Sequence, residues 1–309
     1  MSIKKYAVID QGKVRETNQD QAFVYTNNNM DTIGIVCDGM GGHKAGAYAS
    51  LLTAKTILDL FIEVGPSSND EEKPHYYSIW AEKYGWTSTD GKFTSATMAG
   101  QWLYEAMMHA NNVVKEKSES DDKFSGMGTT LCISLICDDV ILIGNVGDSR
   151  AYIALEDEFK LITEDQTWVN VLLKNKKISP QEALDHPKKH ELLYAIGTMD
   201  QPQVDIYELD MANGTLLLCS DGIYNLVTES YLKTILDGTL PLSKKATTIV
   251  EEANSNGGYD NMSIVLIEIS NYKASRDPLA IDDNFTEDYE QSNTNMIDIT
   301  DLLEAKENE

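Results

Sequence analysis

Four aspartates of this 309-residue chain share one local setting. Asp38 closes an apolar run and precedes Gly39. Asp221 follows the run Leu216-Leu217-Leu218-Cys219 by two residues and precedes Gly222. Asp148 follows Gly147 at the end of Ile143-Gly144-Asn145-Val146. Asp260 lies in Gly257-Gly258-Tyr259-Asp260-Asn261, just ahead of another apolar run. Each carboxylate thus stands at the end of a buried segment, beside glycine that lets backbone approach a ligand closely. Any one Asp-Gly pair reads equally well as a turn. Four in one chain point to a shared site, where carboxylates repel one another unless protonated or bound to cations. Carboxylate, carbonyl and water ligands select magnesium or manganese over zinc. Phosphate chemistry of other kinds is excluded by spacing. The positions six beyond each cysteine are His43, Asp138, Ile143 and Asn225, so no cysteine–arginine phosphate loop exists. Gly41 to Gly46 is followed by Ala47 where a nucleotide loop needs lysine. His186 and His190 have helical ligand spacing, but Pro187 intervenes and no third ligand is apparent; a surface helix is expected there.

The elements that must carry these residues follow from periodicity. Strands are expected at 6–9, 21–25 and 32–37, the last apolar enough for burial on both faces. A sharp loop, Asp38-Gly39-Met40-Gly41-Gly42, precedes a helix over 45–63. Residues 64–94 are polar and aromatic-rich with poor periodicity and read as an insertion; their aromatics are expected to pack on neighbouring helices. A second helix is expected over 95–117, then strands at 129–136, 140–146, 151–155 and 160–162, with Asp138-Asp139 and Glu156-Asp157-Glu158 as hairpin turns. Residues 167–196 look helical and polar, with a capping box at Ser179-Pro180-Gln181-Glu182. Strands at 204–209 and 215–219, helices at 229–236 and 243–253, and a strand at 262–269 complete the pattern. This order does not alternate as a doubly wound sheet would, so a layered α+β sandwich is expected, antiparallel sheets inside and helices outside.

The formal charge is −25, which repels nucleic acid and anionic membranes. No sequence stretch reads as a membrane span or a secretory signal. Four cysteines, all in apolar runs, fit reduced thiols and the cytoplasm. Residues 271–309 carry eleven acids against three bases and read as a disordered acidic tail. Within it, Met296-Ile297-Asp298-Ile299-Thr300-Asp301-Leu302-Leu303 has the composition of a short docking segment. A monomer is expected.

Six segments together carry a resemblance. Arg15-Glu16-Thr17-Asn18-Gln19-Asp20, Asp38-Gly39-Met40-Gly41-Gly42-His43, Gly126-Met127-Gly128-Thr129-Thr130, Asn145-Val146-Gly147-Asp148-Ser149-Arg150, Cys219-Ser220-Asp221-Gly222 and Asp260-Asn261 resemble, in order, the motifs of the metal-dependent protein phosphatases, the PPM or type 2C family, in its bacterial branch. The resemblance implies a four-layer α-β-β-α sandwich with two central antiparallel sheets flanked by helices. It implies a phosphatase domain over 1–270, with a flap at about 166–196, acting on phosphoserine and phosphothreonine of proteins that a serine/threonine kinase has modified. It implies two Mn²⁺ or Mg²⁺ ions, with a third possible. Asp38 would bridge two of them and Gly39 would offer its carbonyl. Asp221 and Asp260 would hold the first, and Asp148 with Asp221 a third. Asp20 would orient water and Arg15 would bind phosphate oxygens. His43 is the candidate proton donor to the leaving group.

Two positions depart from the family pattern. Gln19 stands where glutamate is usual, and reduced metal affinity is expected from the missing charge. Gln166 stands where histidine is frequent, in a loop before the flap expected to affect substrate access. Gln19 is the support for an alternative, a catalytically impaired member acting as a phosphoprotein-binding module. Lys174, Lys176, Lys177, Lys188 and Lys189 make the flap the one basic cluster of an acidic chain, suited to phosphorylated or acidic substrate segments.

Overall fold

The computed structural model describes residues 1–66, 98–137 and 140–273. The insertion at 64–94, the Asp138-Asp139 turn and the tail at 271–309 fall wholly or mostly outside them.

Among the described residues, eleven strands build two antiparallel sheets. One sheet has the order β1 (Ser2–Asp10), β11 (Met262–Ser270), β10 (Gly214–Cys219), β7 (Arg150–Ala154), β8 (Phe159–Leu161). The other runs β2 (Asp20–Thr26), β3 (Thr32–Met40), β5 (Leu131–Cys137), β6 (Val140–Val146), β9 (Asp205–Asp210), with β4 (Gly128–Thr129) paired to β3. The sheets pack face to face through Val36, Cys132, Ile143, Leu216, Leu218 and Val265, all buried. Alternate residues face outward and are buried too, because helices cover both outer faces. On β10, Leu216 and Leu218 point between the sheets while Leu217 and Cys219 meet the helices.

Helices α1 (His43–Val64) and α2 (Met98–Ser120) cover the sheet containing β3. Phe61 and Trp102 meet there edge to face, 5.9 Å between ring centroids. Residues Lys44–Glu63 of α1 are long and apolar enough to cross a membrane by composition, but most of that stretch is buried inside the fold, so its apolarity belongs to the core. Two short helices follow β8, α3 (Trp168–Lys174) and α4 (Pro180–Leu184). After β10 come α5 (Asp221–Tyr224), α6 (Glu229–Asp237) and α7 (Leu242–Ser255), which pack Leu232, Leu236, Ile249 and Ala253 on the other sheet.

The architecture is the expected four-layer sandwich. Three local expectations change. The loop expected at Asp38–Met40 is strand instead, because β4 pairs Gly39 with Thr129 and Met40 with Gly128. The helical stretch expected over 167–196 reduces to α3 and α4, each capped by a hydroxyl, with turns between them; Thr167 caps α3, and Ser179 and Glu182 form the expected capping box on α4. His186 and His190 lie in the turns after α4, not on a helix. Cys132 and Cys137 point to opposite faces of β5, and all four cysteines are free and buried.

Candidate active site

The antiparallel register gathers the acidic residues at one edge of the sandwich. Asp20 opens β2 and is paired across the ladder with Asp38, near the end of β3. Asp148 sits in the turn from β6 to β7. Asp221 follows the end of β10, and Asp260 precedes the start of β11. Strand ends from both sheets therefore meet at the same rim, and each turn there is held by its own bonds.

Asp38 is fixed through its backbone. Its amide donates to Thr130 Oγ1 at 2.9 Å, and its carbonyl accepts from the Thr130 amide at 2.8 Å and Thr129 Oγ1 at 2.9 Å. Its side chain lies near enough to that of Asp221, which comes from the other sheet, for the two charges to oppose each other. Gly39 has no room for a side chain: a Cβ would lie 2.1 Å from the Gly46 carbonyl oxygen. Asp20 is fully buried and accepts at Oδ2 from Ser220 Oγ at 2.6 Å and Ser263 Oγ at 2.8 Å. Arg15 donates to Asp260 Oδ2 at 2.7 Å. Its loop is strapped down by Asn261, whose Nδ2 donates to the carbonyls of Gln11 and Thr17 at 2.8 and 3.0 Å and whose Oδ1 accepts from the Gln19 amide at 2.9 Å. Gly12, at φ +75°, passes so close to the Asp260 carbonyl that a Cβ would come within 2.3 Å of it.

The electrostatics follow from crowding. Burial is the largest cause in each case. It holds Asp38 well above the ordinary carboxylate range, reinforced by Asp20, Asp221, Asp148 and Asp260. It does the same to Asp148, with Asp221 and Asp165 adding to it. It pushes Asp20 up to about 7, against the pull of the two serine hydroxyls. Asp221 rises to about 6, through burial and then Asp260, with His190 and Arg15 opposing. So much negative charge in one buried rim calls for a proton or a cation.

The protein phosphatase 2C family model matches residues 12–253. The chain belongs to the protein phosphatase 2C family. It is of the bacterial PPM type, the class of metal-dependent protein serine/threonine phosphatases. The serine/threonine phosphatase Stp of Listeria innocua is 34% identical over 269 residues, covering 87% of this chain and 96% of Stp. The protein phosphatase PhpP of Streptococcus pneumoniae is 30% identical over 262 residues, covering 84% and 95%. Among solved structures, the serine/threonine phosphatase of S. agalactiae superposes with a TM-score of 0.72 at 28% identity, over 87% of this chain and all of that one. The catalytic domain of the phosphatase PstP, in complex with two manganese ions, superposes with a TM-score of 0.65 at 26% identity, over 86% and 97%.

The residues of this type 2C phosphatase fit hard divalent cations. Every converging donor is oxygen, and the Oδ1 atoms of Asp20 and Asp221 are buried with no hydrogen-bond partner. A buried polar atom left unpaired costs about 1–3 kcal/mol, a cost that a cation or its water would remove. The rim is not a closed cradle: no group of three or more His, Cys, Asp or Glu among the described residues is already arranged to hold a metal. Asp260 is engaged at both oxygens, by Arg15 and by the Asn261 amide at 2.8 Å.

The structure thus brings Arg15, Asp20, Asp38, Gly39, Asp148, Asp221 and Asp260 to one edge. His43 opens α1, but its side chain lies outside the described residues. Gln19 does not face an open rim alone: its Nε2 donates to the Gly42 carbonyl at 2.9 Å, which a glutamate could not do. Sequence reasoning missed Ser220 and Ser263 as holders of Asp20. His190, set aside from its spacing with His186 as part of a surface helix, stands with Nδ1 3.9 Å from Asp221 Oδ2. Ser220 lay inside a recognised motif; nothing local marks Ser263.

Proposed function

We propose that this phosphatase hydrolyses phosphoserine and phosphothreonine esters of proteins in one step, water attacking phosphorus as the ester P–O bond breaks, with no covalent enzyme intermediate. The observation that carries this is the convergence of Asp38 and Asp221, drawn from opposite sheets, with Asp20, Asp148 and Asp260 at one rim. Two divalent cations, Mn²⁺ or Mg²⁺, supply Lewis acidity and make water nucleophilic near neutral pH when bound. Asp38, the Gly39 carbonyl, Asp221 and Asp260 would hold them, and Asp148 with Asp221 would hold a third. Asp20, pinned at Oδ2 by two hydroxyls, keeps Oδ1 without a partner and would orient the attacking water. Arg15 is half exposed on a strapped loop, so its planar guanidinium can turn from Asp260 to phosphate oxygens. His43 passes a proton to the leaving serine or threonine oxygen.

The proposal takes the enzyme as cytoplasmic and monomeric, opposed to a serine/threonine kinase, with no nucleic-acid or membrane partner. Buried free thiols support the compartment, and a charge of −25 supports the absence of anionic partners. The test is turnover of p-nitrophenyl phosphate and of a phosphothreonine peptide with Mn²⁺ or Mg²⁺, beside Asp221→Asn. Wild type should turn over both, and the variant should lose roughly 10²-fold or more, the scale of removing one strong electrostatic stabiliser. Wild-type protein that binds the phosphopeptide but turns over neither compound would favour the binding-module alternative.

A further inference from the structure

The flap and the Asp148 turn meet at one side chain, Gln166. It is buried, with 6% of its surface exposed, and every polar atom of the residue is used. Side-chain Oε1 accepts from the Gly147 amide at 2.8 Å, so it touches the turn that presents Asp148. Side-chain Nε2 donates to Asp205 Oδ2 at 2.7 Å and to the Gln203 carbonyl at 3.1 Å, so it reaches the start of β9. The backbone amide donates to the Gly147 carbonyl at 3.0 Å, closing a reciprocal pair with that turn. The backbone carbonyl accepts from the Leu193 amide at 2.8 Å, where the flap returns. One residue on, Thr167 bridges Leu192. Both roots of the segment carrying α3 and α4 are therefore tied to Gln166, and Gln166 is tied to Gly147. The far side of the same segment brings His190 to Asp221.

We propose that Gln166 is a positioning residue that couples the root of the flap to the Asp148 turn, so that flap placement and cation affinity at Asp148 are set together. The inference rests on the phosphatase reading above. The position calls for a side chain that accepts from Gly147 and donates to Asp205 at once, as an amide or a neutral imidazole can and a carboxylate cannot. A carboxylate there can still accept from Gly147, but it faces Asp205 with no proton to give. Buried donor–acceptor pairs involving a charged group are worth about 1.5–3 kcal/mol, roughly tenfold or more in an equilibrium.

The design follows from that asymmetry. Q166E breaks the pair with Asp205; Q166E combined with D205N restores that pair with the donor moved to position 205, while the longer bond to the Gln203 carbonyl stays lost. Three readouts separate coupling from simple loss of fold, alongside a thermal melt of each variant. The first is the rate of tryptic cleavage at Lys176 and Lys177 in the flap. The second is Mn²⁺ calorimetry. The third is KM for a phosphothreonine peptide against kcat/KM for p-nitrophenyl phosphate. For Q166E we expect faster flap cleavage, a roughly tenfold weaker affinity in the weakest Mn²⁺ event and a roughly tenfold higher peptide KM, on the scale of one charged hydrogen bond. At saturating Mn²⁺ aryl phosphate turnover should stay within about twofold of wild type, and the double variant should recover most of each of the three changes. Flap cleavage that changes while Mn²⁺ affinity does not, equal loss on both substrates, or no recovery in the double variant would each overturn the coupling. Wild-type enzyme that binds no Mn²⁺ or turns over neither substrate would instead overturn the phosphatase reading itself.

Discussion

Asn261 ties down the loop that carries Arg15. Its three hydrogen bonds join the start of β11 to Gln11, Thr17 and Gln19, and so set where Arg15 stands. Asn261→Ala leaves the Gln19 amide and two carbonyls to find other partners. At about 1 kcal/mol per bond, destabilisation on the order of 2–3 kcal/mol is expected in denaturant unfolding. KM for p-nitrophenyl phosphate should rise by roughly tenfold if Arg15 loses its anchorage, at the usual conversion of 1.4 kcal/mol per decade. An unchanged KM in a destabilised protein would show that Arg15 is placed by Asp260 alone. The two glutamines that depart from the family pattern are both structural donors in this chain. Gln19 reaches a carbonyl at the start of α1 and Gln166 reaches β9, so neither is a vacancy where a charge was lost.

At the scale of elements, α2 carries the clearest internal conflict. Glu105 is buried on a helix otherwise packed by Leu103, Ala106 and Met107, and its Oε1 has no hydrogen-bond partner. Burial pushes its carboxyl up to about 7. The folded state thus binds a proton more tightly than the unfolded chain does. The resulting stability is fully present below the ordinary glutamate value, about 4.3, and is lost as pH rises through about 7. Glu105→Gln removes the charge without removing the shape. Its melting temperature should exceed wild type at pH 8 by several degrees, at about 2–4 °C per kcal/mol for a protein this size, and nearly match it at about pH 4, below the ordinary glutamate value. Equal shifts at both values would mean that the residue acts through packing. The β elements show the opposite, full agreement of local and global preference. On β3, Ile33 and Ile35 face α1 and Val36 faces the other sheet, so both faces of the strand are apolar as its sequence demands.

Across the whole molecule, the sandwich is a device for bringing strand ends together. Its two sheets contribute Asp20, Asp38 and Asp148 from one side and Asp221 and Asp260 from the other, and the charge they concentrate opposes folding until it is neutralised. Ligand that binds only the native state stabilises it by mass action, by about 2.7 kcal/mol at a hundredfold excess over Kd. Mn²⁺ should therefore raise the melting temperature by about 5–10 °C, and chelation should reverse it. A melt indifferent to Mn²⁺ would deny that the carboxylate rim binds cations.

Periodicity and punctuation in the sequence determined the strands, the long helices, the capping box at Ser179 and the identity of the charged residues at strand ends. These are local properties: a run such as 32–37 is apolar in every context, and Ser179 caps a helix through a residue three positions away. Motif order added the fold class and the candidate ligands. Only the tertiary structure decided what each carboxylate faces. Asp20 is held by hydroxyls 200 and 243 residues away, and Gln166 closes on residues 19 and 39 positions distant in opposite directions. No local pattern encodes such pairings, because they exist only once sheet packing and register have set which strand ends share an edge. Even the extent of β3 through Asp38 and Gly39 depends on its partner Thr129, so the boundary between strand and loop at the site was itself a tertiary decision.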